Sequence, residues 1–190
     1  MVGLIQKVLH DLALQRGGAQ AVARIYEAAG VPPDRNFRID TVYPDDEWQR
    51  LLVAACEVLQ LGPEAFENAY AEQFGSDALR RWPAWFRMSR SARELLERQP
   101  IIHNTFATGV RDPDARRDIR DKFRLEQRPD ELVTHYRSPN ELCGLYKALA
   151  RWVLRHYGES ATIDEPLCLK RGDPECEIHI RWNQGALHHE

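Results

Sequence analysis

Long uninterrupted apolar runs are missing from this chain. Its opening stretch, MVGLIQKVLHDLALQRGG, breaks up Leu4, Ile5, Val8, Leu9 and Leu12 with polar and charged residues, whereas a secretion-signal core or a membrane span is continuously apolar. The expectation is an amphipathic first helix and a cytoplasmic protein with no membrane contact. An excess of positive charge is missing too. Lysine and arginine number 26 against 29 aspartates and glutamates, a formal net charge of -3, so no basic field offers itself to a phosphate backbone. Nucleic acid is therefore not an expected partner. Cysteine is scarce: Cys56, Cys143, Cys168 and Cys176 are too few and too unevenly spread for a secreted disulfide scaffold, and read as thiols or metal ligands. Neither a glycine-rich phosphate loop, nor an HExxH pair, nor a Gly-x-Ser-x-Gly elbow occurs. With no recognisable nucleophile and base pair, the chain is not expected to be an enzyme.

What is present is enough apolar material, 43% of 190 residues, for one domain with a substantial core. Residues 1–182 read as that single domain and 183–190 as a C-terminal tail. Up to about Gly109 the apolar spacing is helical. One helix is predicted to end at Gly17-Gly18 and a second, VARIYEAAG, to stop at Gly30 ahead of Pro32-Pro33. A short extended piece follows at 37–43; Asp45 or Asp46 is predicted to cap EWQRLLVAACEVLQ, and Pro63 suits the first turn of PEAFENAYAEQF. From Phe123 the period changes. KFRLEQ and ELVTHYRS flank Arg128-Pro129-Asp130 as a hairpin, SPNELCGLYKALARWVLRHYG reads as a long amphipathic helix beginning at Ser138-Pro139, and ATIDEPLCLK and ECEIHIRW flank Arg171-Gly172-Asp173-Pro174 as a second hairpin. The predicted class is α+β: a helical N-terminal half, then an antiparallel sheet of about four strands with one long helix packed on it.

Three clusters carry possible chemistry. His103 follows Pro100-Ile101-Ile102, so a proline in the first helical turn would set an imidazole on a mainly apolar surface. Such an imidazole can ligate a metal or sit in a core with a local hydrogen bond, and the position alone does not choose between them. The second cluster is Tyr136-x-Ser138 before a helix, which alone is also a strand tyrosine and an N-cap serine. The third is Cys143 near the start of the long helix, with Cys168 and Cys176 flanking the second turn, where facing strands can hold two thiolates close together. These three cysteines could equally be small buried residues, or two of them a redox-labile disulfide.

The start Met1-Val2-Gly3-Leu4-Ile5 leading into Val8-Leu9, the lone His103 ahead of a hairpin, and Tyr136-x-Ser138 before a helix together resemble the stand-alone bacterial H-NOX, or haem NO-binding, domain. The resemblance spans Gly3 to Trp182. It implies haem b, with His103 as the proximal ligand of the haem iron, and Tyr136 and Ser138 holding the propionates. The family's third motif residue, an arginine, is Asn140 here, which can still donate two amide hydrogens. Arg137 is expected to face away from Tyr136 and Ser138 if the strand stays extended. The family's usual proline before the first hairpin has no counterpart in 118–125, so porphyrin distortion is not expected to carry over.

For the gas itself, oxygen-binding members carry a tyrosine nine residues after the first motif tyrosine, and that position is Leu145. An apolar distal pocket of Ile5, Leu9, Phe74 and Leu145 is expected to favour nitric oxide or carbon monoxide over oxygen, with Tyr146 one helical step away and needing to rotate to supply a hydroxyl. Some H-NOX proteins also bind zinc through cysteines at these spacings and a histidine three residues before the second. That residue is Glu165, so Cys143, Glu165, Cys168 and Cys176 form the implied zinc set. An odd separation puts Glu165 and Cys168 on opposite faces of a regular strand, unless Pro166 bends the chain.

The expected function is thus haem-dependent sensing of nitric oxide, in which the gas weakens or breaks the bond between iron and His103. The chain ends after its last predicted strand, and the expected effector acts in trans, as a histidine kinase or a cyclic-di-GMP enzyme. An alternative on the same fold is a haem-free zinc- or thiol-based redox regulator. A third is a module binding another apolar ligand, like the distantly similar vinyl-reductase-type domains.

Overall fold

The computed structural model describes residues 2–108, 110 and 113–182; the predicted tail, Met1 and the Gly109 boundary lie outside them. The helical half comprises α1 (Leu4–Ala29), α2 (Asp45–Leu59), α3 (Pro63–Arg81), α4 (Pro83–Arg87), α5 (Ala92–Glu97), α6 (Gln99–Ala107) and α7 (Pro113–Arg120). After it come β1 (Phe123–Arg128), β2 (Glu131–Tyr136), α8 (Cys143–Tyr157), β3 (Ala161–Leu167), a single 3-10 turn at Leu169–Arg171, and β4 (Cys176–Trp182). All pairings are antiparallel, in the order β1-β2-β4-β3. The predicted α+β arrangement is the one observed.

The two helices predicted on either side of Gly17-Gly18 are present as the two segments of α1, which meet at a kink at Gly18, whose φ of 67° and ψ of -170° form a break that glycine adopts without a Cβ penalty. Two local expectations are corrected. No aspartate side chain caps α2. Pro44 occupies that position, and Asp45, Asp46 and Glu47 lie in the first turn, where their charges favour the positive end of the helix dipole. The long back-half helix begins at Cys143 rather than at Ser138-Pro139. The residues between form a turn in which Glu141 takes a left-handed φ of 49°.

The largest core lies among α1, α2 and α3, where Trp48, Leu51, Ile25 and Tyr70 are wholly buried. Alternation then gives the sheet two unlike faces. Leu132, Ile178 and Ile180 are buried on the inner face, alongside Tyr136. The outer face carries Arg124, Glu126, Glu131, His135, Glu177, His179 and Arg181 in a lattice of ion pairs. α8 packs against α3 and α5. Glu159, just beyond α8, ties the halves: one carboxylate oxygen accepts from the Ala92 N–H at the start of α5 and the other from the Trp182 indole at the end of β4, each at 2.7 Å. Arg93 of α5 donates to the carbonyls of Arg128 and Pro129 in the first hairpin turn.

Candidate functional site

Between the helical half and the sheet's inner side lies a cavity of about 230 Å³ with an almost wholly apolar lining. It draws its wall from the N-terminal turn of α1, from α3, α5 and α6, from the entry to β1, from the end of β2 and from α8. Pro100 sits in the first turn of α6, as expected, and one turn along His103 reaches the cavity wall. The imidazole packs edge-on against Phe123, with ring centroids 5.0 Å apart. Its Nδ1 is buried and has no hydrogen-bond partner. Burial, and then the positive charge of Lys122, hold the His103 pKa down to about 4 against a weaker upward pull from the Ile119 backbone. The ring is therefore neutral near pH 7, the form in which histidine ligates metals.

Of the residues expected at the site, His103, Tyr136, Ser138, Ile5, Phe74 and Leu145 all line this one cavity. Leu9 and Asn140 do not. Leu9 packs one turn deeper, in the core of the helical half, because only the first turn of α1 reaches the cavity. Asn140 is buried, but the turn through Glu141 carries it off the rim. Neither amide atom has a partner within hydrogen-bond range, although the amide is near enough to Asp45 to help keep that carboxyl ionised. Arg137 is exposed and outside the cavity wall, as strand alternation predicts.

Tyr136, on β2, is buried, and burial pushes its hydroxyl up to about 12. The oxygen accepts the Leu142 N–H at 3.2 Å, and the Ser138 oxygen accepts the Asn140 N–H at 3.3 Å, so both rim hydroxyls are fixed by the turn that leads into α8. Two further tyrosines line the cavity. Tyr70 donates to the Ile5 carbonyl at 2.9 Å, and Tyr146 shares a hydrogen bond of 2.7 Å with the Thr134 hydroxyl. Tyr70 thus spends its hydrogen on the protein and Tyr146 is paired with Thr134, whereas Tyr136 acts toward Leu142 as an acceptor. Tyr70 and Lys122 were not anticipated as wall residues. The first was signalled by the aromatic spacing Phe66, Tyr70, Phe74 along one face of α3; a lone lysine before a strand gives no signal.

The cysteine cluster is a separate, compact site. One ligand atom each from Cys143, Glu165, Cys168 and Cys176 lies within 4.8 Å of the others, and the three cysteines are buried. Cys143 Sγ is 3.7 Å from Cys168 Sγ, and the Leu169 N–H points at Cys176 Sγ at 3.3 Å. Glu165 joins them through a bulge. β3 pairs Asp164 with His179 but Leu167 with Glu177, so Glu165 and Pro166 together oppose Ile178. Burial raises the Glu165 pKa, but the Lys147 ammonium at 2.6 Å and hydrogen bonds from the Cys143 and Cys176 thiols together outweigh it, and the net shift is downward. Burial, then the charge of Glu165, pushes the Cys143 thiol up, and burial pushes Cys176 to about 11. A divalent cation among them would reverse this balance, since a coordinating thiol is deprotonated outright. Cys56 lies apart, half-buried on α2.

A sequence model of the Haem-NO-binding family matches residues 2–165. Among curated proteins none matches the sequence. Solved structures share the fold at low identity. An H-NOX protein from S. oneidensis in the Fe(II)NO ligation state is 17% identical, with a TM-score of 0.76 over 97% of this chain and 100% of its own. The Fe(II) unliganded H-NOX protein from K. algicida is 20% identical, with a TM-score of 0.76 over the full length of both chains. An oxygen-binding H-NOX domain related to soluble guanylate cyclases is 16% identical, with a TM-score of 0.75 over 100% of this chain and 99% of its own.

Proposed function

Because the chain belongs to the Haem-NO-binding family, whose members are haem-based gas sensors, we propose that it holds haem b in the cavity through His103 and senses nitric oxide or carbon monoxide. One observation carries this reading: a neutral imidazole on the wall of an apolar cavity whose Nδ1 is buried and without a hydrogen-bond partner. A buried polar atom without a partner costs about 1–3 kcal/mol, and a bound metal would satisfy it. The residues therefore fit the group. His103 would hold the iron, the apolar wall would cover the macrocycle, and Tyr136 and Ser138 would meet the propionates at the rim. Haem supplies an iron atom that a diatomic gas can bind.

This chain's residues bias which gas. Leu145, Ile5 and Phe74 carry no donor, Tyr70 spends its hydrogen on the Ile5 carbonyl, and Tyr146 is paired with Thr134. A gas that gains negative charge on binding, as oxygen does, would find no donor on Leu145, Ile5 or Phe74, whereas nitric oxide and carbon monoxide depend on one less. His103 is the tether between α6 and the cavity, so a change in its ligation alters what α6 packs against. A separate effector, a histidine kinase or cyclic-di-GMP enzyme, would read that change.

The test is an absorption spectrum of protein expressed with haem available. A Soret band is expected that shifts with nitric oxide, is lost in His103→Gly and returns with added imidazole. A colourless wild-type protein would overturn the proposal. The cysteine cluster favours a second, compatible reading in which Cys143, Glu165, Cys168 and Cys176 bind zinc; in a protein without haem it would leave a zinc- or thiol-based regulator. Stoichiometric zinc that disappears in Cys168→Ser is expected. Zinc content unchanged by that substitution would sink the assignment.

A further inference from the structure

Haem carries two propionates, and a carboxylate at the edge of an apolar cavity is only partly hydrated, so it calls for a cation or several hydrogen-bond donors. Asn140, at the position of the family's arginine, is off the cavity wall, and Arg137 is exposed away from it, as strand alternation predicts. Among the described residues that line the cavity, Lys122 is the one whose side chain carries a permanent charge. Lys122 lies in the turn between α7 and β1, outside the alternation of the strand, and lines the cavity from there. Its carbonyl accepts the Arg137 N–H at 3.0 Å. The lysine backbone therefore lies across from the residue that separates Tyr136 from Ser138, the two polar groups of the rim.

We infer that Lys122 takes the place of the missing arginine as the cation that binds a haem propionate. The inference rests on the haem reading above. Lys122 lines the same cavity as His103, Tyr136 and Ser138, and its charge also reaches Asp45 beside Asn140. A propionate would thus share this ammonium with Asp45. Lysine offers a compact, strongly hydrated charge on a flexible stem, whereas arginine offers a rigid two-pronged donor. The resulting grip is expected to be sensitive to salt, in the way exposed point-charge pairs are.

The experiment measures the rate at which haem leaves the loaded protein for an excess of an apo-globin acceptor. A charge-assisted hydrogen bond is worth about 1.5–3 kcal/mol, which is about 10- to 100-fold in rate. Lys122→Gln is expected to release haem about 10-fold faster or more, Lys122→Arg within about threefold of wild type, and Asn140→Ala within about twofold. Haem dimethyl ester, which lacks both carboxylates, separates charge from packing: with it, wild type and Lys122→Gln should release at the same rate. Equal release of ordinary haem by wild type and Lys122→Gln would overturn the inference while leaving the haem reading intact. Failure of wild type to take up haem at all overturns both. Should Lys122→Gln misfold, wild type alone still decides, because release of the ester no faster than of haem also overturns the inference.

Discussion

Replacing Leu145 with tyrosine would add a hydroxyl to a part of the wall where Leu145, Ile5 and Phe74 carry none, while Tyr70 donates to the Ile5 carbonyl and Tyr146 is paired with Thr134. A neutral hydrogen bond adds about 0.5–1.5 kcal/mol, so oxygen affinity of the haem-loaded Leu145→Tyr protein should rise about 2- to 10-fold, read from oxygen titrations by absorbance. No change would mean that the distal side is not where Leu145 lies. Far from the cavity, His179 makes a second residue-scale prediction. Burial lowers its pKa, but Glu177 and Glu131, at 2.7 and 2.6 Å, more than offset this and the net shift is upward; nearby Arg181 is itself paired to Glu131 and Asp164. The protonated ring is thus favoured by folding. Its contribution is complete below the ordinary value of 6.5 and fades as pH climbs through the raised one. Thermal melts of wild type and His179→Asn should differ most below pH 6.5 and converge in alkali. At this scale spacing was enough to bring His103, Tyr136 and Ser138 to one cavity wall. It did not foresee that Lys122 lines that wall or that Asn140 does not, because whether a residue reaches a cavity depends on the turns before β1 and through Glu141 and not on spacing.

Helices and strands were easier to read than their ends. Apolar period alone located α2, α3, α8 and both hairpins, since each must bury one face. Caps and starts were less legible. Pro44 displaced the expected aspartate cap, and α8 began five residues late because Ser138 and Asn140 were drawn into the turn that fixes the Tyr136 hydroxyl. One contact between elements was invisible to periodicity. α3 and α8 meet where Gly75 faces Trp152, and a Cβ on Gly75 would fall 2.3 Å from the indole ring. Gly75→Ala should therefore displace Trp152, which lines the cavity. The expected cost is about 1–3 kcal/mol, measured by urea unfolding, together with a shift in tryptophan emission. A neutral outcome would show that the two helices can separate without penalty.

Across the whole molecule, the cavity is where the helical half and the sheet meet, so whatever fills it joins them. A ligand present at 100 times its dissociation constant adds about 2.7 kcal/mol to stability. For a domain of this size that is about 5–10 °C in melting temperature. Haem-loaded wild type should show that increment over the haem-free protein, and His103→Gly should show it only with imidazole. An increment that survives in His103→Gly without imidazole would mean that apolar contact alone, and not the imidazole, holds the halves together.

The extra residue in β3 does more than turn Glu165 toward the sulfurs. β3 is an outermost strand, and its irregular pairing opposite Ile178 bends a border that would otherwise present a straight row of open amides and carbonyls to any passing chain. Deleting Pro166 would restore a count of two between Glu165 and Cys168 and keep both on the inner side, while flattening that border. Such a protein should retain its thiol cluster yet self-associate as its concentration rises, a trade visible by sedimentation.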